Sequence, residues 1–272
     1  MPAQGRSAAL ATSGFSETAS SKSRLSREFS PSVRLYIARL AYGGIPLFEH
    51  LELILAAGET TCLLGPSGVG KSTILRLLAG LQPLADGDRI EVGDDGILTG
   101  RVAYLEQRGL LLPWLTVLEN VLLGARLRGE VRDTDRAREL LRRVGLLEQA
   151  ECMPSTLSGG MQQRVALART LMEDRPVILM DEPFSALDAV TRYQLQALTA
   201  GLFRSRTVLL VTHDPAEAVR LGHRILILKG RPARLTPLQC PADTPPRDPT
   251  LPAELECGKS LMRELGMVQS GC

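Results

Sequence analysis

Eight residues, Gly65, Pro66, Ser67, Gly68, Val69, Gly70, Lys71 and Ser72, match the pattern G-x-x-x-x-G-K-[ST]. They sit between an apolar run, TTCLL, and a helix-like stretch, STILRLLAG. Such a loop constrains the fold strongly. It needs a buried strand to deliver it and a helix whose first amides face a phosphate. Glycines let the backbone curl around the anion, Lys71 reaches the outer phosphates, and the Ser72 hydroxyl, followed by Thr73, is placed to hold magnesium. The loop therefore predicts an α/β protein with nucleotide at the carboxyl ends of its strands.

The rest of the chain agrees with that class. Four further apolar runs, GRVAYLEQ, PVILMDE, RTVLLVTHD and RILILKG, have the length of buried parallel strands. Helix-rich stretches from Leu118 to Gln149 and from Val190 to Arg204 separate them, and alternation of this kind predicts a mainly parallel sheet. Upstream, VRLYIARL partly alternates apolar and polar residues and LELIL follows a Gly-Gly turn, so the body opens with β structure. Residues 1 to 32, rich in Ser, Ala and charge without periodicity, read as a disordered leader. Prolines multiply after Pro232, and residues 239 to 272 read as a Pro-rich tail with one short helix in AELECGKSLMREL.

Composition excludes more than it proposes. Lys and Arg number 32 against 30 Asp and Glu, so no charge excess argues for nucleic-acid binding. LLLPWLTVL, the longest apolar stretch, is far short of a membrane span and holds a proline, so a spanning partner would be another chain. Five cysteines show neither metal-like nor redox spacing. The reading is of a cytosolic protein with reduced thiols.

Two acids, Asp181 and Glu182, end the run VILMD, where a parallel strand presents its last residues to ligand. Asp181 suits holding Mg2+ and Glu182 suits polarising the attacking water. Between them and the phosphate loop stands Leu-Ser158-Gly159-Gly160-Met-Gln-Gln-Arg164, in which Ser158 is placed to cap a helix and give a second amide-lined N-terminus.

That stretch resembles the signature of the ABC ATPases, and the resemblance runs over residues 33 to 238 in the family's motif order. It implies a P-loop NTPase of ABC type: a mainly parallel core, an N-terminal antiparallel β subdomain and an inserted helical signature subdomain. It implies that Tyr42 stacks on adenine, that Gln107 ligates magnesium and senses a transmembrane partner, and that Asp188 in SALD bridges two subunits. His213 in VTHD would contact the γ-phosphate and hold Glu182 and the water in place, whereas His50 and His223 match nothing. The cofactors implied are ATP and Mg2+. Catalysis would fall to Glu182, His213 and Gln107, with Ser158, Gly159 and Gly160 serving the ATP site of a second subunit in a homodimer.

RGLLLPWLTVLENVLLG resembles the matching segment of importer ATPases for nitrate, sulfonates, taurine and hydroxymethylpyrimidine, with Arg108 standing where an acid commonly follows the glutamine. This implies transmembrane permease subunits, a periplasmic or lipid-anchored solute-binding protein acting through them, and a peripheral position on the cytoplasmic face of the inner membrane. The segment from Gln107 to Val121 would dock a short permease helix, although its leucines and Trp114 also suit a core. Two other readings stand beside import: a soluble ABC ATPase, as in Fe-S assembly, and an ABC protein that binds ATP without turnover. Against the soluble ATPase, the chain carries neither a long heptad insertion nor a second nucleotide domain.

Overall fold

The computed structural model describes residues 30–239 and 241–266. The leader read over residues 1 to 32 lies outside the described residues up to position 29. In chain order the elements are β1 (Val33–Tyr42), β2 (Ile45–Leu55), β3 (Thr60–Leu64), α1 (Lys71–Leu78), β4 (Arg89–Val92) and β5 (Val102–Leu105). Helices α2 (Val117–Val121), α3 (Leu123–Leu127), α4 (Thr134–Arg143) and α5 (Gly159–Met172) follow. The chain continues with β6 (Val177–Asp181), α6 (Ala189–Phe203), β7 (Thr207–Val211), α7 (Pro215–Leu221), β8 (Arg224–Gly230), β9 (Ala233–Leu238) and α8 (Pro252–Glu264).

Among the described residues nine strands form one sheet in the order β4-β1-β2-β9-β8-β3-β7-β6-β5. From β8 to β5 every neighbouring pair is parallel, while β4, β1 and β2 pair antiparallel, with Val33 opposite Leu55 and Val92. The expected division into a parallel core and an antiparallel N-terminal part is thus present in one continuous sheet.

Strands β3, β6 and β7 are buried at all their residues. Side chains alternate faces along a strand, so both faces of these three must be covered. The alternation is clean. Ile178, Met180, Val208 and Leu210 enter one apolar cluster with residues of α2, α4, α5 and α7, whereas Val177, Leu179, Leu209 and Val211 enter a second with α1, β1 and β2.

Several elements were not anticipated. In the stretch from 118 to 149, Gly129 and Gly145 take left-handed backbone (φ 67° and 70°) just past α3 and α4, a conformation that ends helices, so these two are separate elements. Strand β9 was masked by its prolines. Pro237 is tolerated because β9 meets β2 only at Ala233, so its lost N–H is not needed by a second neighbour. Short β4, RIEV, is an edge strand with three of its four residues not buried, which leaves little apolar signal.

Residues 241–266 close over the first cluster. Cys257 and Leu261 of α8 are part of it, and Arg247, buried, donates from Nη1 to the carbonyls of Val219 (2.8 Å) and Gly222 (2.6 Å) at the end of α7. These carbonyls would otherwise be orphaned at a helix terminus. Leu261 is 0% exposed. Truncating it should remove both transfer energy and packing, so Leu261→Ala is expected to destabilise the protein by about 2–5 kcal/mol in urea unfolding; a change below about 0.5 kcal/mol would mean α8 does not contribute to the core.

Candidate active site

Strand β3 delivers residues 65–70 directly into α1. Gly70 caps the helix with φ 107°, and Gly65 comes so close to β8 that an added Cβ would stand 2.2 Å from the Leu228 carbonyl oxygen. Val69 is anchored in the second apolar cluster, while Pro66, Ser67 and Gly68 are exposed. The loop is therefore pinned at its ends and open at its crest. Lys71 Nζ curls back over it, donating to the carbonyls of Gly65 (2.7 Å) and Pro66 (3.0 Å). Burial lowers the lysine's pKa, and the charges of Glu182 and Asp181 oppose that shift. An incoming phosphate would supply the counter-charge a half-buried ammonium lacks.

Parallel pairing of β3, β7 and β6 puts their carboxyl ends side by side. Ser72 Oγ donates to Asp181 Oδ2 at 2.7 Å. Burial raises the Asp181 pKa, the Ser72 hydroxyl counteracts this, and the neighbouring Glu182 raises it further. The next residue, Glu182, has left-handed backbone (φ 50°). For a residue with a side chain this costs about 1–2 kcal/mol. It is held there because its N–H donates to Val211 O (2.9 Å) and its carbonyl accepts from the Ser185 amide and hydroxyl (3.3 and 3.1 Å). The twist turns its carboxylate toward two further groups. Gln107 Nε2 donates to Glu182 Oε2 at 3.1 Å, and His213 Nδ1 lies 3.2 Å from Glu182 Oε1.

Lys71, Ser72, Gln107, Asp181, Glu182 and His213 are thus brought together from four strand ends and a loop. The oxygens of Ser72, Asp181 and the Gln107 amide are hard donors of the kind Mg2+ takes, so the residues present fit that ion.

Other residues singled out by the sequence stand apart. Tyr42, 54% exposed, pairs its hydroxyl with Gln82 Nε2 (3.2 Å), a partner no motif pointed to. Ser158 caps α5 by accepting from the Met161 amide (3.3 Å), with Gly159 in its first turn. Gly160 packs against the turn after Glu182, where an added Cβ would lie 3.1 Å from Ala186 O. Asp188 caps α6 through the Thr191 amide at 3.0 Å. These contacts lie within the turn or with the neighbouring turn, and among them none reaches the phosphate loop. His50 meets the Tyr36 hydroxyl at 3.0 Å, and His223 Nδ1 accepts from the Thr60 amide at 3.0 Å.

Sequence reasoning passed over the groups that hold the segment after Gln107. Asn120, fully buried, accepts from the Leu112 amide (2.8 Å) and donates to the carbonyls of Leu112, Leu115 and Thr116 (3.1, 3.1 and 3.0 Å). Arg169 of α5 donates to the carbonyls of Gly109 (2.6 Å) and Leu110 (3.0 Å). With Leu115 buried beneath, Leu110 and Trp114 remain 58% and 68% exposed, so the core reading of Trp114 does not hold. A polar residue inside the apolar run VLENVLL was the available signal for Asn120.

Residues 48–185 match a family model described as ABC transporter. An uncharacterized ABC transporter ATP-binding protein of Haemophilus influenzae is 44% identical over 247 residues, covering 86% of this chain and 98% of that protein. Aliphatic sulfonates import ATP-binding protein SsuB 1 of Burkholderia cenocepacia is 47% identical over 191 residues, covering 69% of this chain but only 58% of its own length. Among solved structures, the ATP-binding cassette MJ0796, in a dimeric post-hydrolysis state bound to ADP and Pi, matches with a TM-score of 0.66 and 32% identity. That match covers 76% of this chain and 99% of the cassette.

The clearest steric test falls on the loop. Because a Cβ at position 65 would overlap the Leu228 carbonyl, which is backbone and cannot swing aside, Gly65→Ala should displace the loop and lower affinity for a fluorescent ATP analogue by about tenfold or more. Unchanged affinity would show that the loop does not need its observed path.

Proposed function

Since this chain belongs to the ABC transporter family as an ATP-binding subunit that hydrolyses ATP, we propose that it energises import of a small solute of the nitrate, sulfonate, taurine or pyrimidine class. The single observation that carries import is the exposure of Leu110 and Trp114 on the hydrogen-bonded loop beside Gln107, in a chain similar to sulfonate-import ATPases. No helix among the described residues is long and apolar enough to cross a membrane. Permease subunits would span it, a solute-binding protein would act through them, and this chain would sit on the inner membrane's cytoplasmic face. Residues 33 to 238 would form the ATPase unit, with residues 239 to 272 as a tail.

In this reading Tyr42 offers its face to adenine, residues 65–73 wrap the phosphates, and Lys71 neutralises charge in both ground and transition states. Ser72, Asp181 and Gln107 would hold Mg2+, which supplies further neutralisation of phosphate charge. Glu182 orients the attacking water and takes its proton, and the strained backbone already aims its carboxylate. His213 keeps Glu182 in line and reaches the γ-phosphate. Ser158, Gly159, Gly160 and Asp188 would face the nucleotide of a second copy in an ATP-bound homodimer.

Removing only the proton acceptor tests the chemistry. Glu182→Gln should retain ATP affinity, lower turnover by about 10²–10⁴-fold and leave an ATP-dependent dimer visible by size exclusion. Phosphate release at the wild-type rate would take the role away from Glu182.

Coupling is tested separately. Trp114→Asp changes an exposed side chain, so the isolated subunit should keep its melting temperature and ATPase rate while solute uptake by the assembled transporter is lost. Normal uptake would show that this stretch is not the docking surface.

A further inference from the structure

Glu217 of α7 is a carboxyl to which the reading above gives no task. It is only 4% exposed. With Glu182, Thr212, His213 and Asp214 it lines a narrow cavity of about 20 Å³, room for roughly one water molecule. One of its oxygens has a clear partner: Thr212 Oγ1 donates to Glu217 Oε2 at 3.1 Å. The same hydroxyl accepts from the Asp214 amide at 3.0 Å. Both neighbours of His213 in the chain are therefore tied to one hydroxyl, and that hydroxyl to Glu217. The other oxygen, Oε1, is buried without a protein hydrogen-bond partner.

We propose that Glu217 is a positioning residue for hydrolysis: through Thr212 it fixes the turn that presents His213 to Glu182. This goes beyond the catalytic reading above and rests on it for the roles of His213 and Glu182. An imidazole must meet its partner within a few tenths of an ångström to be useful, and a turn following a strand has few restraints of its own. Here the restraint comes from below, from the first turn of α7. Asp214 adds to it by capping that helix through the Ala216 amide (2.9 Å) and pairing with Arg192 of α6 (3.4 Å).

The charge state of Glu217 matters to the arrangement. Burial, then the charge of Asp214, pushes its pKa up from 4.5 to about 8, against the Thr212 hydroxyl and the Arg192 guanidinium, with Glu182 adding to the rise. The groups facing it are Asp214 at the cap of its own helix, Arg192 from α6, Glu182 from the end of β6, and Thr212 and His213 after β7. At neutral pH the acid is mostly protonated. Ionising it would set a third carboxylate beside Glu182 and Asp214, and repulsion would loosen the turn.

The test compares wild-type protein with Glu217→Ala, Glu217→Gln and Thr212→Val, measuring ATP-analogue affinity, kcat and KM from about pH 6 to about 9, and melting temperature over about pH 4 to 9. Glu217→Ala and Thr212→Val should lower kcat by about 10- to 100-fold with KM and affinity within about twofold of wild type. Glutamine matches the neutral acid in shape and should restore kcat at pH 7. Wild-type kcat should fall as pH rises through about 8, and Glu217→Gln should abolish that fall.

Stability gives a readout independent of turnover. Because the folded pKa lies above the unfolded one, the stabilising contribution of Glu217 is full below 4.5 and is lost as pH rises toward about 8. The melting temperature of wild type should therefore fall relative to Glu217→Gln across that window and run parallel above it. Wild-type kcat in both Glu217→Ala and Thr212→Val, or Glu217→Gln as impaired as Glu217→Ala, overturns the proposal. If Glu217→Ala does not fold, Thr212→Val and Glu217→Gln decide alone. Failure here would leave Glu182→Gln inactive, whereas failure of the underlying catalytic reading would show as an active Glu182→Gln.

Discussion

The burial of β3, β6 and β7 on both faces is the constraint from which the rest follows. A parallel strand covered on both sides cannot turn back by a hairpin; it must leave the sheet, cross a face as a helix and return. Each crossing places a strand's last residue and a helix's first at the same end of the sheet. Phosphate loop, acidic pair and histidine turn share that end because three strands with no polar face had to be wrapped. The alternate apolar residues that seal the two faces thus also determine where chemistry is available.

At that end the arrangement centres on Glu182. Its carboxylate is the common partner of Gln107 and His213, which arrive on different elements, and its backbone takes a conformation disfavoured for a residue with a side chain. Strain of this kind persists only where surrounding bonds over-determine it. The amide bond to β7 and the two bonds from Ser185 do so. A flexible glutamate would need to be ordered at each turnover; this one is ordered by the fold.

Much of this was readable from the sequence because the informative signals are local. A glycine-lysine loop and an apolar run ending in two acids each occupy a dozen residues or fewer, and each strand and helix of the alternation is read from its own short window. What could not be read depends on distant pairing. Strand β9 hides behind Pro232 and Pro237, and the cost of Pro237 vanishes only once β2 is known to meet the strand at Ala233 alone. Asn120 looks like a flaw in an apolar helix until Leu112, Leu115 and Thr116 fold over it, and Glu217 looks like a surface acid until α7 packs against the sheet. Trp114 suited either a docking surface or a core by sequence, and only the loop held around Asn120 leaves it exposed.

Arg169 joins two regions that the chain separates by some sixty residues. Its guanidinium grips the carbonyls of Gly109 and Leu110 while its backbone belongs to the helix capped by Ser158. The helix and the outward-facing loop are in effect bolted together, as two arms of one lever. A tilt of that helix would pull on Gly109 and Leu110, the residues that lead to Trp114. Just upstream of the gripped carbonyls stands Gln107, the residue that also touches Glu182. Carboxylate contact, clamped helix and outward-facing tryptophan thus share one short segment of chain.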